Sequence, residues 1–311
     1  MTVGMQHRVP AEAAWRAAPP ARRPLDSAAA QQALVDAHFA TATATTYWQA
    51  IYRSADVAGA VIRDRRAAVL ALADALALPC PSRILEIGCG AGSTAVALAQ
   101  RGHHVQAIDT VGSMIDLTRA AAVEAKVEGR LIAALGDVHH LDFRAGIFDL
   151  VLAVGLTAWL DALAAPLGEI ARVLQPGGHL IITADNRRRL SHLLDPRWFP
   201  PLAPLRSRTR AAIDRLRGRT PARPRLRAYA RGVFDAALSD AGLRKVSGRT
   251  LGFGPFSFLG CPLVPAALGV RLHRRLQRLA DRGVPLLRSG GAHYIVVAQK
   301  AGDIPNTEKT P

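Results

Sequence analysis

The sequence predicts an α/β fold: an open, mostly parallel sheet with helices on both faces. Three observations carry that reading. Short apolar runs alternate with helical-period stretches through most of the chain, the pattern of parallel strands joined by crossover helices. One run, Phe148–Leu152, is nearly all apolar, as a strand covered on both faces must be. A glycine-rich turn, Gly88-Cys89-Gly90-Ala91-Gly92, stands where the first strand gives way to a helix.

The elements follow in order. Residues 25–57 hold small residues and the aromatic cluster Tyr47, Trp48 and Tyr52, expected on a lid helix or cap. A helix follows with Val61, Arg65, Val69, Leu72 and Leu76 along one side, ended by Pro79 and Pro81. Ile84, Leu85 and Ile87 make the first strand. Ser93 offers an N-cap to the next helix and Gly102 its stop. Val105–Ile108 is the second strand, ending at Asp109, and Ser113 with Asp116 has capping-type spacing for the helix after it. Arg130–Leu135, Phe148–Leu152 and Leu180–Ile182 are the third to fifth strands, with a helix over Leu167–Leu174 and a turn at Pro176-Gly177-Gly178. A helix from Val233 to Ala241, a strand Lys245–Leu251 and a strand Tyr294–Ala298 complete seven, the last expected to run antiparallel at the sheet edge.

Composition narrows the function. The 311 residues are 50% hydrophobic and 5% aromatic, which excludes a disordered or collagen-like chain. Three cysteines, Cys80, Cys89 and Cys261, lack metal-ligand spacing and cannot build a disulfide framework, so a reducing, cytoplasmic setting is expected. The apolar runs are interrupted too early to cross a bilayer. Residues 1–24 read as a disordered extension or a transit-like tail, and 301–311 as a flexible tail. The formal charge of +16 is localised: Arg187 to Arg282 holds 22 basic against 5 acidic residues, and the remainder 18 against 19. No aromatic residue interrupts the Arg206–Arg227 run, so it lacks stacking platforms for bases.

The sharpest signal is Leu85-Glu86-Ile87-Gly88-Cys89-Gly90-Ala91-Gly92. Its spacing is G-x-G-x-G instead of the dinucleotide turn's G-x-G-x-x-G, and Glu86 would sit badly beside a pyrophosphate but well beside a cation. Asp109 ends the second strand 21 residues after Gly88, where it could accept from two ribose hydroxyls. With Gly136-Asp137, Asp149 and Arg172-Val173-Leu174-Gln175-Pro176-Gly177-Gly178 in order, the chain resembles the class I S-adenosylmethionine-dependent methyltransferases, over residues 55–186 and more loosely 229–299. The resemblance implies a Rossmann-like, seven-stranded, mostly parallel sheet with an antiparallel last strand. It also implies S-adenosyl-L-methionine as cofactor, with Glu86, Gly88, Gly90, Gly92, Asp109, Met114, Asp137, Val138 and Val154 as cofactor-binding residues. Met114 is then either simply buried or packed against cofactor, Asp149 is structural, and Cys89 is a small turn residue. Residues 25–300 become one methyltransferase domain, with a helical cap at 25–78 and acceptor-side elaborations at 187–228 and 252–291.

The acceptor is expected to be a small, partly hydrophobic molecule. The segment Ala153–Trp159 should face the methyl group, and it carries none of the motifs of nucleic-acid amino- or base-C5-methylating enzymes. His139, His140 and His293 are candidate bases; His139 and His140 could equally serve the surface or the adenine side. No spacing suggests a metal. Gly252–Leu259 either plugs the core or walls a substrate pocket. Beside Arg187–Arg189, the apolar segment Pro196, Trp198, Phe199, Pro200, Pro201 and Pro204 suggests an acceptor with hydrophobic and anionic parts. In Leu268–Arg282, four leucines share a stripe about 110° from an arginine arc, suiting either peripheral contact with an anionic membrane or a packed helix with a solvated face. The rivals are an RNA methyltransferase, motivated by the Arg206–Arg227 run, and a non-catalytic cofactor-binding protein.

Overall fold

The computed structural model describes residues 27–197, 199, 209, 224–259 and 261–302. The extension 1–24, the arginine run 206–223 apart from Thr209, Trp198, Pro200, Pro201, Pro204 and the tail 303–311 lie outside the described residues. The chain opens with three helices: α1 (Ser27–Phe39), α2 (Ala42–Ile51) and α3 (Val57–Ala75). Asp56 caps α3, its Oδ1 accepting from Gly59 N at 2.7 Å. Then β1 (Arg83–Ile87), α4 (Ser93–Gln100), β2 (His104–Asp109), α5 (Gly112–Glu124), β3 (Leu131–Leu135), β4 (Phe148–Ala153), α6 (Ala164–Val173) and β5 (Leu174–Asp185) alternate. The last part adds α7 (Ser191–Leu194), α8 (Arg231–Asp240), β6 (Leu243–Leu251), a hairpin of β7 (Ser257–Phe258) and β8 (Cys261–Pro262), α9 (Ala266–Asp281), α10 (Leu287–Gly290) and β9 (His293–Lys300).

The seven-stranded sheet has the order β3-β2-β1-β4-β5-β9-β6, with β1 to β5 parallel. The antiparallel strand is the last one, as expected, but it is not at the edge. β9 lies between β5 and β6 and pairs antiparallel with both, leaving β6 as the rim. β9 is fully apolar from Tyr294 to Ala298 and buried, whereas Arg244 to Arg249 of β6 are exposed; the sequence that can tolerate a solvated edge takes it.

Strand side chains alternate between two cores. On one face Ile84, Leu150, Leu152 and Ile295 pack against α3, α4 and α5; on the other Leu85, Ile87, Val151, Ala153 and Val296 meet α6 and α8. The Arg172–Gly178 signature is a brace. Arg172 donates to Phe143 O and Leu141 O, each at 2.7 Å, and pairs with Glu169 at 2.8 Å. Gln175 Nε2 donates to Asp149 Oδ1, whose Oδ2 accepts from Arg83 N at the start of β1. Pro176-Gly177-Gly178 forms a register shift inside β5 instead of a turn before it, and a Cβ at residue 178 would lie 2.9 Å from Gln175 O.

Two capping expectations give way. The residue before α4 is Gly92 at φ +75°, with no side-chain cap, so Ser93 already lies in the helix. α5 begins at Gly112 without a side-chain cap, and Ser113 Oγ is buried with no partner. The stripe on α9 also differs. Gly269, His273 and Ala280 are its buried residues, about 85° around the helix from the leucine stripe. Gly269 fits against Val57, while His273 accepts at Nδ1 from Phe253 N and pairs through Nε2 with Asp64 at 3.0 Å. Leu268 is exposed, Leu272, Leu276 and Leu279 are half-buried, and Arg271, Arg274, Arg275 and Arg278 face solvent. Phe253 is buried against the fold, so this end of the aromatic segment fills the core.

Candidate active site

The order of the sheet reverses between β1 and β4, and the carboxyl ends of those strands form the crevice where ligands bind in open α/β sheets. A cavity opens there, with about 1050 Å³ of empty space, its open mouth included. Its floor is the β1–α4 turn. Gly88 N and Cys89 N both donate to Ile108 O, at 2.8 and 3.0 Å, pinning the turn to β2. Gly90 adopts φ +53°, and a Cβ there would meet nothing within 4 Å, because it would project into open space. Gly92 has the opposite reason: a Cβ would lie 2.7 Å from Thr118 Cγ2. Cys89 lies buried against Thr118, and burial pushes its thiol well up, which suits packing and not nucleophilic attack.

Two acids flank this turn. Asp109 Oδ2 accepts from Gly90 N at 3.0 Å and Oδ1 from Val111 N at 3.1 Å, so it holds the turn in shape while lining the cavity. Burial raises its pKa, and those amides oppose the rise. Glu86 is buried, lines the cavity and has an Oε2 with no partner. Burial pushes its carboxyl up to about 8, against the Ala95 amide and the nearby Arg66. An unpartnered buried carboxyl beside an open glycine cradle fits a ligand bearing a cationic group.

Met114, Val138 and Val154 line the walls, the first two buried and the third half-buried. Asp137 also lines the cavity, and its Oδ1 accepts from His139 N at 2.9 Å and pairs with His139 Nδ1 at 2.7 Å. Burial would raise Asp137, but His139 outweighs it and holds the pKa low. His139 itself lies outside the cavity lining. His140 is exposed, 3.8 Å from Asp142, and lines a separate hollow behind Gly136. His293 pairs through Nδ1 with Asp185 Oδ1 at 3.2 Å, at the junction of β5 and β9, and is likewise outside the lining. None of the three histidines is brought to the cavity wall, whereas all nine residues expected to bind cofactor meet there except Gly92, which packs behind the turn.

The roof is the N-terminal cap. Gln32, Val35, Phe39, Trp48 and Tyr52 line the cavity from α1, α2 and the turn after α2, together with Trp159 of a 3-10 turn after β4. Phe39 meets Trp159 edge-on at 4.8 Å and His38 stacks on it at 5.7 Å. Gln31 clamps the cap: its Nε2 donates to Trp159 O at 3.2 Å and Arg225 O at 3.0 Å, and its Oε1 accepts from Arg225 N. Sequence reasoning placed an aromatic cap here and the Ala153–Trp159 segment at the cavity, but missed Gln32 and Arg65. The last carried a legible sign, an arginine on the apolar stripe of α3. Among the described residues no group of three His, Cys, Asp or Glu is placed to hold a metal, and no helix is long and apolar enough to cross a membrane.

Residues 85–182 match the family model described as a methyltransferase domain. The chain is 33% identical over 105 residues to an uncharacterised methyltransferase of Mycobacterium tuberculosis, covering 34% of this chain and 40% of that one. It is 32% identical over 114 residues to a ubiquinone biosynthesis O-methyltransferase of Xylella fastidiosa, covering 36% and 46%. The chain thus spans less than half the length of these curated relatives. Among solved structures it is similar to magnesium protoporphyrin IX methyltransferase from Synechocystis, with TM-score 0.56, 16% identity and coverage of 87% of this chain and 100% of that one. It is also similar to geranyl diphosphate C-methyltransferase from Streptomyces coelicolor, with TM-score 0.50, 18% identity and coverage of 76% and 79%. At such identities the structural likeness defines the fold. Residues 85–182 thus match a methyltransferase domain, set in a sheet of the kind found in the class I S-adenosylmethionine-dependent methyltransferases.

Proposed function

We propose that this chain binds S-adenosyl-L-methionine in the β1–β4 cavity and transfers its methyl group to a small, partly hydrophobic molecule. The observation that carries the reading is the meeting, in one cavity, of the unpartnered Glu86 oxygen, the open Gly90 cradle and the Asp109 carboxylate beneath an aromatic roof. Glu86 would neutralise the cationic part of the cofactor, and Asp109, with a free lone pair on each oxygen, would accept from the ribose hydroxyls. Asp137 and Val138 would border the adenine, with Met114 packing beside them. When bound, the cofactor supplies a methyl group already activated on a sulfonium centre. The protein's task is then alignment and exclusion of water, which Trp159, Phe39, Trp48 and Tyr52 perform from above. With no histidine on the wall among the described residues, no general base is assigned. Acceptors of the relatives range from a porphyrin to a geranyl diphosphate, and the apolar roof supports a lipophilic substrate here.

The test is binding of S-adenosylhomocysteine followed by calorimetry and thermal melting. A stoichiometric complex and a raised Tm are expected; absence of binding removes the reading.

A second reading concerns location. Phe258, Leu259, Leu263 and Leu268 are each about half exposed and gather on the β7–β8 hairpin and the first turn of α9, next to the exposed Arg271, Arg274 and Arg275. This combination supports peripheral contact with an anionic membrane. Flotation with anionic liposomes at low salt tests it, and a protein that stays at the bottom of the gradient rules it out.

A further inference from the structure

The rim of the sheet carries a second hollow, away from the β1–β4 crevice. It holds about 820 Å³ of empty space, its open mouth included, and shares no lining residue with the cavity described above. Its walls come from the start of α8, the end of β6, the end of α9 and α10. Among its residues Thr250 and Ala280 are buried, whereas Arg231, Arg249 and Arg288 are exposed. The backbone beneath them is fixed. Thr250 Oγ1 donates to Arg288 O at 3.1 Å and accepts from Gly291 N at 3.2 Å, which ties α10 to β6. Gln277 of α9 accepts from Gly252 N at 2.9 Å. Residue 248 has no side chain because Tyr294 stands there: a Cβ would lie 2.6 Å from its Oη. Packing of separate elements thus brings the arginines to one place.

Their charge has no answer nearby. Among the described residues the three guanidinium groups make no hydrogen bond and no ion pair; Arg231 lies over the Tyr294 ring, 5.9 Å from its centroid. The neighbouring acids are already engaged. Asp235, one turn along α8 from Arg231, pairs with Lys245 Nζ at 2.6 Å and accepts from Tyr294 Oη at 2.8 Å. Asp281, the acid of the lining, accepts from Gln277 Nε2 at 2.9 Å. Three positive charges against one negative leave a surplus of two.

That surplus selects the ligand. A carboxylate brings one charge and two oxygens in one plane, which a single guanidinium fork satisfies. A phosphate monoester brings about 1.5 to 2 negative charges at neutral pH and three acceptor oxygens that point apart. It can therefore take arginine forks from several sides, and its charge matches the surplus.

We propose that the hollow lined by Arg231, Arg249 and Arg288 is a binding site for a phosphate monoester group, separate from the site of methyl transfer. It stands independently of the methyltransferase reading, and its test needs no cofactor. Inorganic phosphate is the probe, with acetate at equal ionic strength as the comparison. Phosphate should raise Tm and saturate in a phosphorus NMR titration, and acetate should leave Tm unchanged. The double variant Arg249→Gln, Arg288→Gln should weaken phosphate about tenfold or more. Arg130→Gln with Arg144→Gln removes the same charge from exposed positions outside the hollow and should leave the affinity within about threefold.

A wild type indifferent to phosphate, one that responds equally to acetate, or equal losses in the two double variants overturns the proposal. Should circular dichroism show the first double variant unfolded, Arg231→Gln carries the test, and unchanged phosphate binding in it refutes the site. Where phosphate binding follows the expected pattern, flotation with phosphatidylcholine vesicles containing about a tenth phosphatidic acid identifies the source of the group. Recruitment lost only in Arg249→Gln, Arg288→Gln assigns the site to a lipid headgroup. Equal recruitment of both double variants assigns it to a free phosphorylated compound.

Discussion

Glu86→Gln turns the electrostatic account of the cavity into a measurable slope. The Glu86 carboxyl is wholly enclosed, its pKa is about 8, and burial is the main cause. At neutral pH the ligand-free site therefore holds the proton. A cationic ligand favours the ionised form, so binding below about pH 8 must expel that proton. Affinity for S-adenosylmethionine should then climb by up to about tenfold per pH unit from roughly pH 6 to 8 and level off above. Glu86→Gln shares every other titration of protein and ligand, so the difference between the two profiles isolates this carboxyl. The variant should lose most of the slope and bind roughly tenfold more weakly at pH 8. Stability of the ligand-free protein moves oppositely. The folded pKa lies above the ordinary 4.5, so the contribution of Glu86 is fully present below that value and is lost as pH rises through about 8. The loss amounts to about 4 kcal/mol by pH 8. Glutamine keeps the shape without the charge and should raise Tm at pH 8. Calorimetry at three pH values, with melts of both proteins, reads all of this. A pair of parallel affinity profiles and an unchanged Tm would rule out a buried Glu86 that gives up its proton to the cofactor.

Other substitutions separate ligand contact from support. Gly90→Ala places a methyl group in open space at φ +53°, so it should cost only about 1–2 kcal/mol of stability but weaken S-adenosylhomocysteine about tenfold or more. Gly92→Ala drives a Cβ to within 2.7 Å of Thr118 Cγ2, and its thermal melt should fall further, by about 2–4 kcal/mol. Asp109→Ala removes the acceptor of the Gly90 and Val111 amides, and calorimetry should record a loss in S-adenosylhomocysteine affinity of about tenfold or more. Full affinity in that variant contradicts the ribose assignment. Arg172→Ala cuts the brace to Leu141 and Phe143 and should lower stability by about 2–3 kcal/mol while leaving the Kd of the folded protein within about threefold.

The parallel sheet was legible because its strands are continuous apolar runs and its crossovers are helices; the pattern states the layers directly. Pairing order is not written in hydrophobicity, which is why β9 was expected at the edge and lies inside, with arginine-bearing β6 outside it. The face of α9 was misread for a related reason. Its packed side is made by Gly269 and Ala280, which are small, and by His273, which is polar but fully bonded, so the leucines beside them drew the eye. Ser93 and Ser113 looked like caps, but a glycine at positive φ and a backbone start took those places. The glycines and acids of the β1–α4 turn were legible as cavity residues because local geometry sets their spacing. Arg65 was passed over because its place at the cavity wall depends on Gly155, which only the folded sheet brings to it.

Methyl transfer itself is tested most directly with methyl-labelled S-adenosylmethionine. Purified protein would be incubated in parallel with a metabolite extract and with total RNA, and each mixture partitioned between organic and aqueous phases. Label is expected in an organic-soluble small molecule, and at pH 8 with sub-saturating S-adenosylmethionine it should fall about tenfold when Glu86 is replaced by Gln. Label in RNA, or none in either fraction from a protein that binds S-adenosylhomocysteine, would contradict it.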